Sequence, residues 1–233
     1  MLTHMVALGN LGSIWGLNRD MKYDTYIFDM DGTILNTIDD LTVTTNYAME
    51  RMGYKTHTVE DVKWFVGNGI MMLIRRAVPE GTSEEDIQKT FELFKEHYHD
   101  HCNDKTGPYP GIIELLTELK KAGKKLAVVS NKADRPVKKL ADEIFPGLFD
   151  IAIGEKDGIN KKPARDMVDI AINELSADRS KSVYIGDTNV DFETAKNSEL
   201  DCILVAWGFR GKEYIHQFDA EYFVDDPMEI LDI

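Results

Sequence analysis

The chain has 233 residues, 43% hydrophobic and 29% charged, which suits one α/β domain with a large insertion or two modest domains and excludes wholesale disorder. Lys and Arg number 27 against 41 Asp and Glu, a formal net charge of −14. Such a surface repels phosphate backbones and anionic lipid, arguing against nucleic acid and membrane as partners; a small phosphorylated ligand would need local positive charge at its site.

Residues 1–21 read as an N-terminal tail. The weakly apolar stretch at 5–17 is broken by Asn10 and Ser13 and lacks a basic segment before it, so the expectation is an untargeted tail. No apolar run reaches the roughly 18 residues of a membrane span. Cys102 and Cys202 stand a hundred positions apart without metal-type spacing, which suggests no disulfide framework and fits a reducing cytoplasm.

From Tyr23 onward short apolar runs alternate with helical patterns. Runs at 25–28, 126–129, 151–153, 183–185 and 202–205 are rich in β-branched or aromatic residues, as buried parallel strands are. Ile112, Leu115, Leu116 and Leu119 recur at helical spacing, as do Val168, Ala171, Ile172 and Leu175. The alternation predicts an α/β fold with a Rossmann-like, doubly wound parallel sheet. Between the first strand and Leu126 the pattern is helical, with helices predicted at 37–52, 69–78 and 83–101, the last opened by a Ser83-x-x-Asp86 cap. A single crossover needs far less chain, so 36–107 reads as an inserted helical module between core segments 22–35 and 108–233, with Gly107-Pro-Tyr-Pro-Gly111 as the hinge.

The first strand runs into Asp29-Met-Asp31-Gly-Thr33. Ligands of open α/β sheets sit beyond the carboxyl ends of strands, and two acids one residue apart require a cation or a proton to reconcile them. An Asp-Gly turn is the ordinary alternative. Three further segments decide against it: Ser130-Asn131 after the second core strand, Lys161-Lys162-Pro163 before a helix, and Gly186-Asp187-Thr-Asn-Val-Asp191 after a later strand. Four loops on one sheet edge thus collect acids, a hydroxyl and a cation.

In this order the four segments resemble the motifs of the haloacid dehalogenase-like superfamily of phosphotransferases, over residues 23 to 233. Val66-Gly-Asn-Gly69, Tyr109-Pro-Gly111, Ser130-Asn-Lys132 and Trp207-Gly-Phe-Arg210 are similar to its phosphoglycolate phosphatase group. The resemblance implies that the insert is a cap over the core and that Asp29 is a nucleophile forming an aspartyl-phosphate. It makes Asp31 the acid and then the base, with Ser130, Asn131, Lys162 and Thr33 binding phosphate or bracing the turn that does. Mg²⁺ would be held by Asp29, the Asp31 carbonyl, Asp187 and Asp191. Dehalogenases of the superfamily lack the second acid, which argues against carbon–halogen chemistry. Departures from the pattern are Arg165, two positions after Pro163 where relatives often have Pro, and Asn36 where they often have Asp.

The cap loop residues Gly67, Asn68 and Gly69 are candidates for substrate specificity, and Arg75 or Arg76 for a substrate carboxylate, against the ordinary reading of a helix-start loop and solvated helix arginines. Two patterns are set aside. Asp104-Lys-Thr-Gly107 is similar to the phosphorylation motif of P-type ATPases but lacks a preceding strand and is followed by Pro108. His97, His99, His101 and Cys102 offer metal-ligating atoms on what reads as a solvated helix end. The expectation is a cytoplasmic, Mg²⁺-dependent phosphomonoesterase, monomeric or homodimeric, acting on a small phosphorylated metabolite, phosphoglycolate first. A β-phosphoglucomutase-type mutase, a pyrophosphatase, a nucleotidase and a non-catalytic phosphometabolite-binding module are the alternatives.

Overall fold

A computed structural model describes residues 21–233; nearly all of the N-terminal tail expected at 1–21 lies outside them. In chain order the elements are β1 (Thr25–Phe28), β2 (Leu35–Asn36), α1 (Ile38–Arg51), α2 (Val59–Phe65), α3 (Ile70–Ala77), α4 (Glu84–His101) and β3 (Gly107–Pro108). There follow α5 (Ile112–Lys121), β4 (Lys125–Ala133), α6 (Asp134–Ile144), β5 (Ile151–Glu155), α7 (Asp166–Glu174), β6 (Ser182–Gly186), α8 (Asn189–Asn197), β7 (Asp201–Val205), α9 (Lys212–Ile215) and β8 (Tyr222–Val224). The main sheet has the order β5-β4-β1-β6-β7-β8, with every pairing parallel.

Alternation along each strand builds both faces of this sheet. Tyr26, Phe28, Leu126, Val128, Val183 and Ile185 pack against Leu115, Leu116 and Leu119 of α5. The intervening Ile27, Ala127, Val129 and Tyr184 pack against Val168, Ala171 and Ile172 of α7. A strand covered on both sides cannot alternate apolar with polar, which is why β1 is buried at all four positions. The chain leaves β1 for β4 and β5 on one side and later fills β6, β7 and β8 on the other. β1 is therefore the switch point, where the strand-end loops diverge and leave a crevice.

Helices α1 to α4 enclose a third cluster centred on Leu73, Ile74, Phe94 and Tyr98, into which Phe209 reaches from the segment after β7. The two chain segments joining these helices to the sheet lie side by side, because β2 pairs antiparallel with β3. Asp40 secures the second of them by accepting hydrogen bonds from the backbone N–H groups of Lys105 and Thr106 and from the Thr106 hydroxyl.

The sequence pattern did not reveal α2, α6 or β8. The seven-residue α2 is too short for an apolar periodicity; it is held by a Thr58–Asp61 capping box. Strand β4 runs on through Ser130, Asn131 and Lys132, so the second motif belongs to the strand rather than to a loop. Among the described residues no helix is long and apolar enough to cross a membrane.

Leu116→Ala, at a fully buried position, is expected to lower unfolding free energy by ~2–5 kcal/mol in urea titrations, whereas Val43→Ala, 46% exposed on α1, changes it by less than about 0.5 kcal/mol.

Candidate active site

Since β4, β1 and β6 are neighbours and parallel, their carboxyl ends bring Ser130, Asp29 and Asp187 together. The Asp29 backbone N–H donates to the carbonyl of Ile185, 2.8 Å away, extending the β1–β6 ladder to the acid itself. Lys162 arrives from the segment before α7. Its ammonium lies 2.7 Å from Asp29 Oδ1, 2.8 Å from Asp191 Oδ1 and 3.0 Å from the Tyr184 hydroxyl. Asn131 clamps the backbone of Lys162, accepting its N–H at Oδ1 (2.8 Å) and donating from Nδ2 to its carbonyl (3.0 Å). Lys161 faces Glu155 at the surface, 3.6 Å away.

Asp191 is fully buried and engaged at both oxygens. Oδ2 accepts from the Asp187 N–H, the Thr188 N–H and the Thr188 hydroxyl, while Oδ1 meets Lys162. Asp187 accepts the Phe209 N–H at 2.9 Å. Two glycines leave room for it: a Cβ on Gly208 would come within 2.2 Å of the Asp187 Cβ, and one on Gly32, whose φ is +88°, within 2.5 Å of its Oδ2.

Liganding oxygens of Asp29, Asp187 and Asp191 lie within 4.8 Å of one another. Among the described residues Lys162 is the one cation paired with this group, so burial leaves uncompensated negative charge. Burial pushes the Asp29 carboxyl up from 3.8 to about 7, with Asp191 and Asp31 adding to the shift and Lys162 opposing it. Asp187 is raised well above the carboxylate range, first by burial and then by Asp191 and Asp29. Lys162 stays charged because Asp191 and Asp29 outweigh its own burial. Hard oxygen donors crowded around excess negative charge fit a divalent cation such as Mg²⁺. Asp191 carries more hydrogen-bond donors on its two oxygens than Asp29 or Asp187 does, which leaves those two with the greater capacity for one.

These groups border a cavity of about 590 Å³, counting its open mouth. Its floor is Asp29, Asp31, Ser130, Lys132 and Lys162, and its roof is Leu41, Ile70, Leu73 and the loop segment with Val66, Gly67 and Gly69. Lys63, Phe209 and Arg210 also line it. Asp31 is two residues beyond Asp29; its Oδ1 accepts from the Thr37 hydroxyl at 2.7 Å and faces the Lys132 ammonium at 2.9 Å.

Several expected phosphate or substrate contacts are occupied otherwise. The Thr33 hydroxyl is buried, 3.4 Å from Asp187 Oδ1, and does not line the cavity. The Asn131 amide is spent on Lys162 and on the Gly67 carbonyl, 3.2 Å away, so it holds the lysine and the roof loop. Asn68 accepts from Arg76 at 2.6 Å, and Arg75 forms an ion pair with the exposed Glu84; neither Asn68 nor Arg75 lines the cavity. His97 and His101 stack, with His101 on Asp104 at 2.7 Å. The one grouping of ligating atoms among the described residues is the aspartate trio. Lys132 and Arg210 belong to segments that carry the family resemblance but received no role from the sequence, and Tyr98 was not singled out at all. The spacing of Ser130 and Lys132, two apart in one strand, is a signal that could have found Lys132. Arg210 donates to the carbonyls of Trp64 and Val66, partners that no local pattern reveals.

The family model described as haloacid dehalogenase-like hydrolase matches residues 26–205. A phosphoglycolate phosphatase of Aquifex aeolicus is 30% identical over 184 residues, covering 78% of this chain and 84% of that protein. The pyrophosphatase PpaX of Halalkalibacterium halodurans is 27% identical over 214 residues, covering 91% and 97%. A crystal structure from Lactobacillus delbrueckii subsp. bulgaricus, named as a candidate phosphoglycolate phosphatase, is 43% identical, with a TM-score of 0.87 over 91% of this chain and 98% of that one.

With Asp29 at about 7 instead of 3.8, the native chain holds a proton that the unfolded chain has released across that interval, so cation-free stability is expected to fall as pH rises through it. A divalent ion binds the deprotonated carboxylates and is expected to raise the melting temperature more at about pH 8 than at about pH 6. Thermal melts in EDTA and in MgCl₂ at both pH values check the sign. Gly208→Ala, which displaces Asp187, is expected to lose most of the MgCl₂-dependent rise.

Proposed function

Because the chain belongs to the haloacid dehalogenase-like hydrolases, we propose that it is a Mg²⁺-dependent phosphomonoesterase of a small phosphorylated metabolite, with phosphoglycolate the leading candidate. The observation that carries the reading is the buried Asp29, paired at 2.7 Å with Lys162 and flanked by a second cavity-lining acid, Asp31. Mg²⁺ would be held by Asp29, Asp187 and the backbone carbonyl of Asp31, and when bound it supplies neutralisation of charge on the phosphoryl oxygens.

Phosphoryl transfer depends on positioning and charge compensation. Asp29, ionised and oriented by Lys162, attacks phosphorus; an Asp29 oxygen–phosphorus bond forms and the ester oxygen–phosphorus bond breaks. Asp31 gives its proton to the departing alkoxide. Water then attacks the phosphorus of the aspartyl-phosphate, Asp31 takes the proton back from it, and phosphate leaves with Asp29 restored. Ser130 donates its hydroxyl to the phosphoryl oxygens, and Lys162 balances charge on them. Asp191 acts by holding Lys162.

We assign 36–107 to a cap over a core of 22–35 and 108–233; the pairing of Leu35–Asn36 with Gly107–Pro108 supports a hinge there. Closure excludes water during the first transfer. The roof bears on substrate size: apart from Lys63 of α2, the residues lining it from the helical module are Leu41, Val66, Gly67, Gly69, Ile70 and Leu73, none with a polar side chain. Sugar hydroxyls would lose hydrogen bonds there, which counts against hexose phosphates and nucleotides. Lys63 and Arg210 on the cavity wall suit an additional anionic group, a carboxylate or, as a second reading, the other phosphoryl of pyrophosphate. All of these residues come from one chain, so the reading holds for a monomer or a homodimer in the cytoplasm.

A panel of phosphoglycolate, pyrophosphate, nucleoside monophosphates and hexose phosphates, compared by kcat/KM in MgCl₂, is expected to favour phosphoglycolate; a preference for a hexose phosphate would overturn the substrate choice. Asp29→Asn is expected to lower turnover by at least about 10³-fold; undiminished turnover would remove Asp29 as the nucleophile, and no turnover of any panel substrate by the unaltered chain would restore the non-catalytic alternative.

A further inference from the structure

Lys132 has no part in the scheme above, yet it is a buried cation at the cavity floor, 5% exposed. Its ammonium lies 2.9 Å from Asp31 Oδ1 and donates at 2.7 Å to the hydroxyl of Tyr98, over whose ring it sits 4.8 Å from the centroid. Tyr98 belongs to α4 of the helical module, is 2% exposed and stacks on Phe94. It reaches across from the helices to a side chain of the central sheet.

Among the described residues the two side-chain donors to Asp31 converge on one oxygen: the Thr37 hydroxyl at 2.7 Å and Lys132 at 2.9 Å each meet Oδ1. A carboxyl held this way cannot rotate freely about Cβ–Cγ, and its other oxygen, Oδ2, is the one not engaged by these donors. Lys132 is a flexible side chain with three N–H donors and becomes a directional anchor only when a second acceptor restrains it. Tyr98 is that acceptor.

We infer that Lys132 and Tyr98 are positioning residues for proton transfer by Asp31, and that the Tyr98 contact makes this positioning depend on the helical module being seated on the sheet domain. The inference rests on the reading of Asp31 as the acid that protonates the leaving group. It adds that the acid is fully oriented only when the roof of the cavity is in place, which ties proton delivery to the exclusion of water.

The test is leaving-group dependence. An alkoxide needs a proton as it departs, whereas the nitrophenolate of p-nitrophenyl phosphate leaves without one. The ratio kcat/KM reports the steps through cleavage of the ester bond. Tyr98→Phe, which keeps the ring and removes the hydroxyl, is expected to lower kcat/KM about 10-fold for phosphoglycolate and less than about 2-fold for p-nitrophenyl phosphate. Lys132→Met is expected to show the same selectivity with a loss of roughly 100-fold on the alkyl substrate. Should Lys132→Met fail to fold, Tyr98→Phe carries the test alone. Equal losses on both substrates would overturn the inference and assign Lys132 to the phosphoryl group or to stability, and no loss on either would also overturn it. Asp31→Asn separates the two levels. Selectivity there without selectivity in the positioning variants sinks the inference alone, whereas no selectivity in Asp31→Asn sinks both the inference and the reading of Asp31 beneath it.

Discussion

Buried carboxylates at the centre of a sheet repel one another, and this molecule depends on a buried lysine that answers two of them. Lys162 touches both Asp29 and Asp191, and its backbone is gripped by Asn131. A buried charge whose partner is lost costs about 3–5 kcal/mol, so the lysine, the two acids and the asparagine form one unit that cannot be altered piecemeal. The unit exists because β4, β1 and β6 lie side by side, and their parallel direction carries three motif segments to one edge. Asp191 then links the unit to α8, since its second oxygen satisfies free N–H groups at the start of that helix. Fold and chemistry share the same carboxylate.

The charge of the whole chain, −14, describes its surface and little of its cavity. Four cations, Lys63, Lys132, Lys162 and Arg210, line that cavity against Asp29 and Asp31. Lys132 and Lys162 come from the sheet domain and are deeply buried, where low dielectric strengthens each interaction. Field at the site is set by these near neighbours, which is how an acidic protein accommodates an anionic ligand.

The grip of the sheet domain on the helical module falls largely on backbone atoms. Asn131 donates to the Gly67 carbonyl, and Arg210 to those of Trp64 and Val66 while stacking on the Trp64 ring. Contacts to carbonyls place few demands on side-chain identity in the roof loop. Its residues are correspondingly free to be small or apolar, as Gly67 and Gly69 are beside Val66 and Ile70.

Sequence by itself determined the parallel α/β core and its principal acids. Strand runs such as 183–185 were legible because burial on both faces forces an apolar pattern, and Asp29, Asp31 and Asp187 because strand ends with acid pairs have few other uses. Helix α2 was not legible, being too short to display a period, nor was β8, a three-residue edge strand. Partnerships remained for the tertiary structure to decide. Thr33 and Asn131 sit in the right segments yet turn to Asp187 and Lys162, Asn68 and Arg75 turn away from the cavity, and Lys132 joins Asp31 to Tyr98 of the helical module. Local pattern reports which residues are buried or turn the chain. Which polar atom satisfies which other depends on segments far apart in sequence, and only folding brings those within hydrogen-bonding distance.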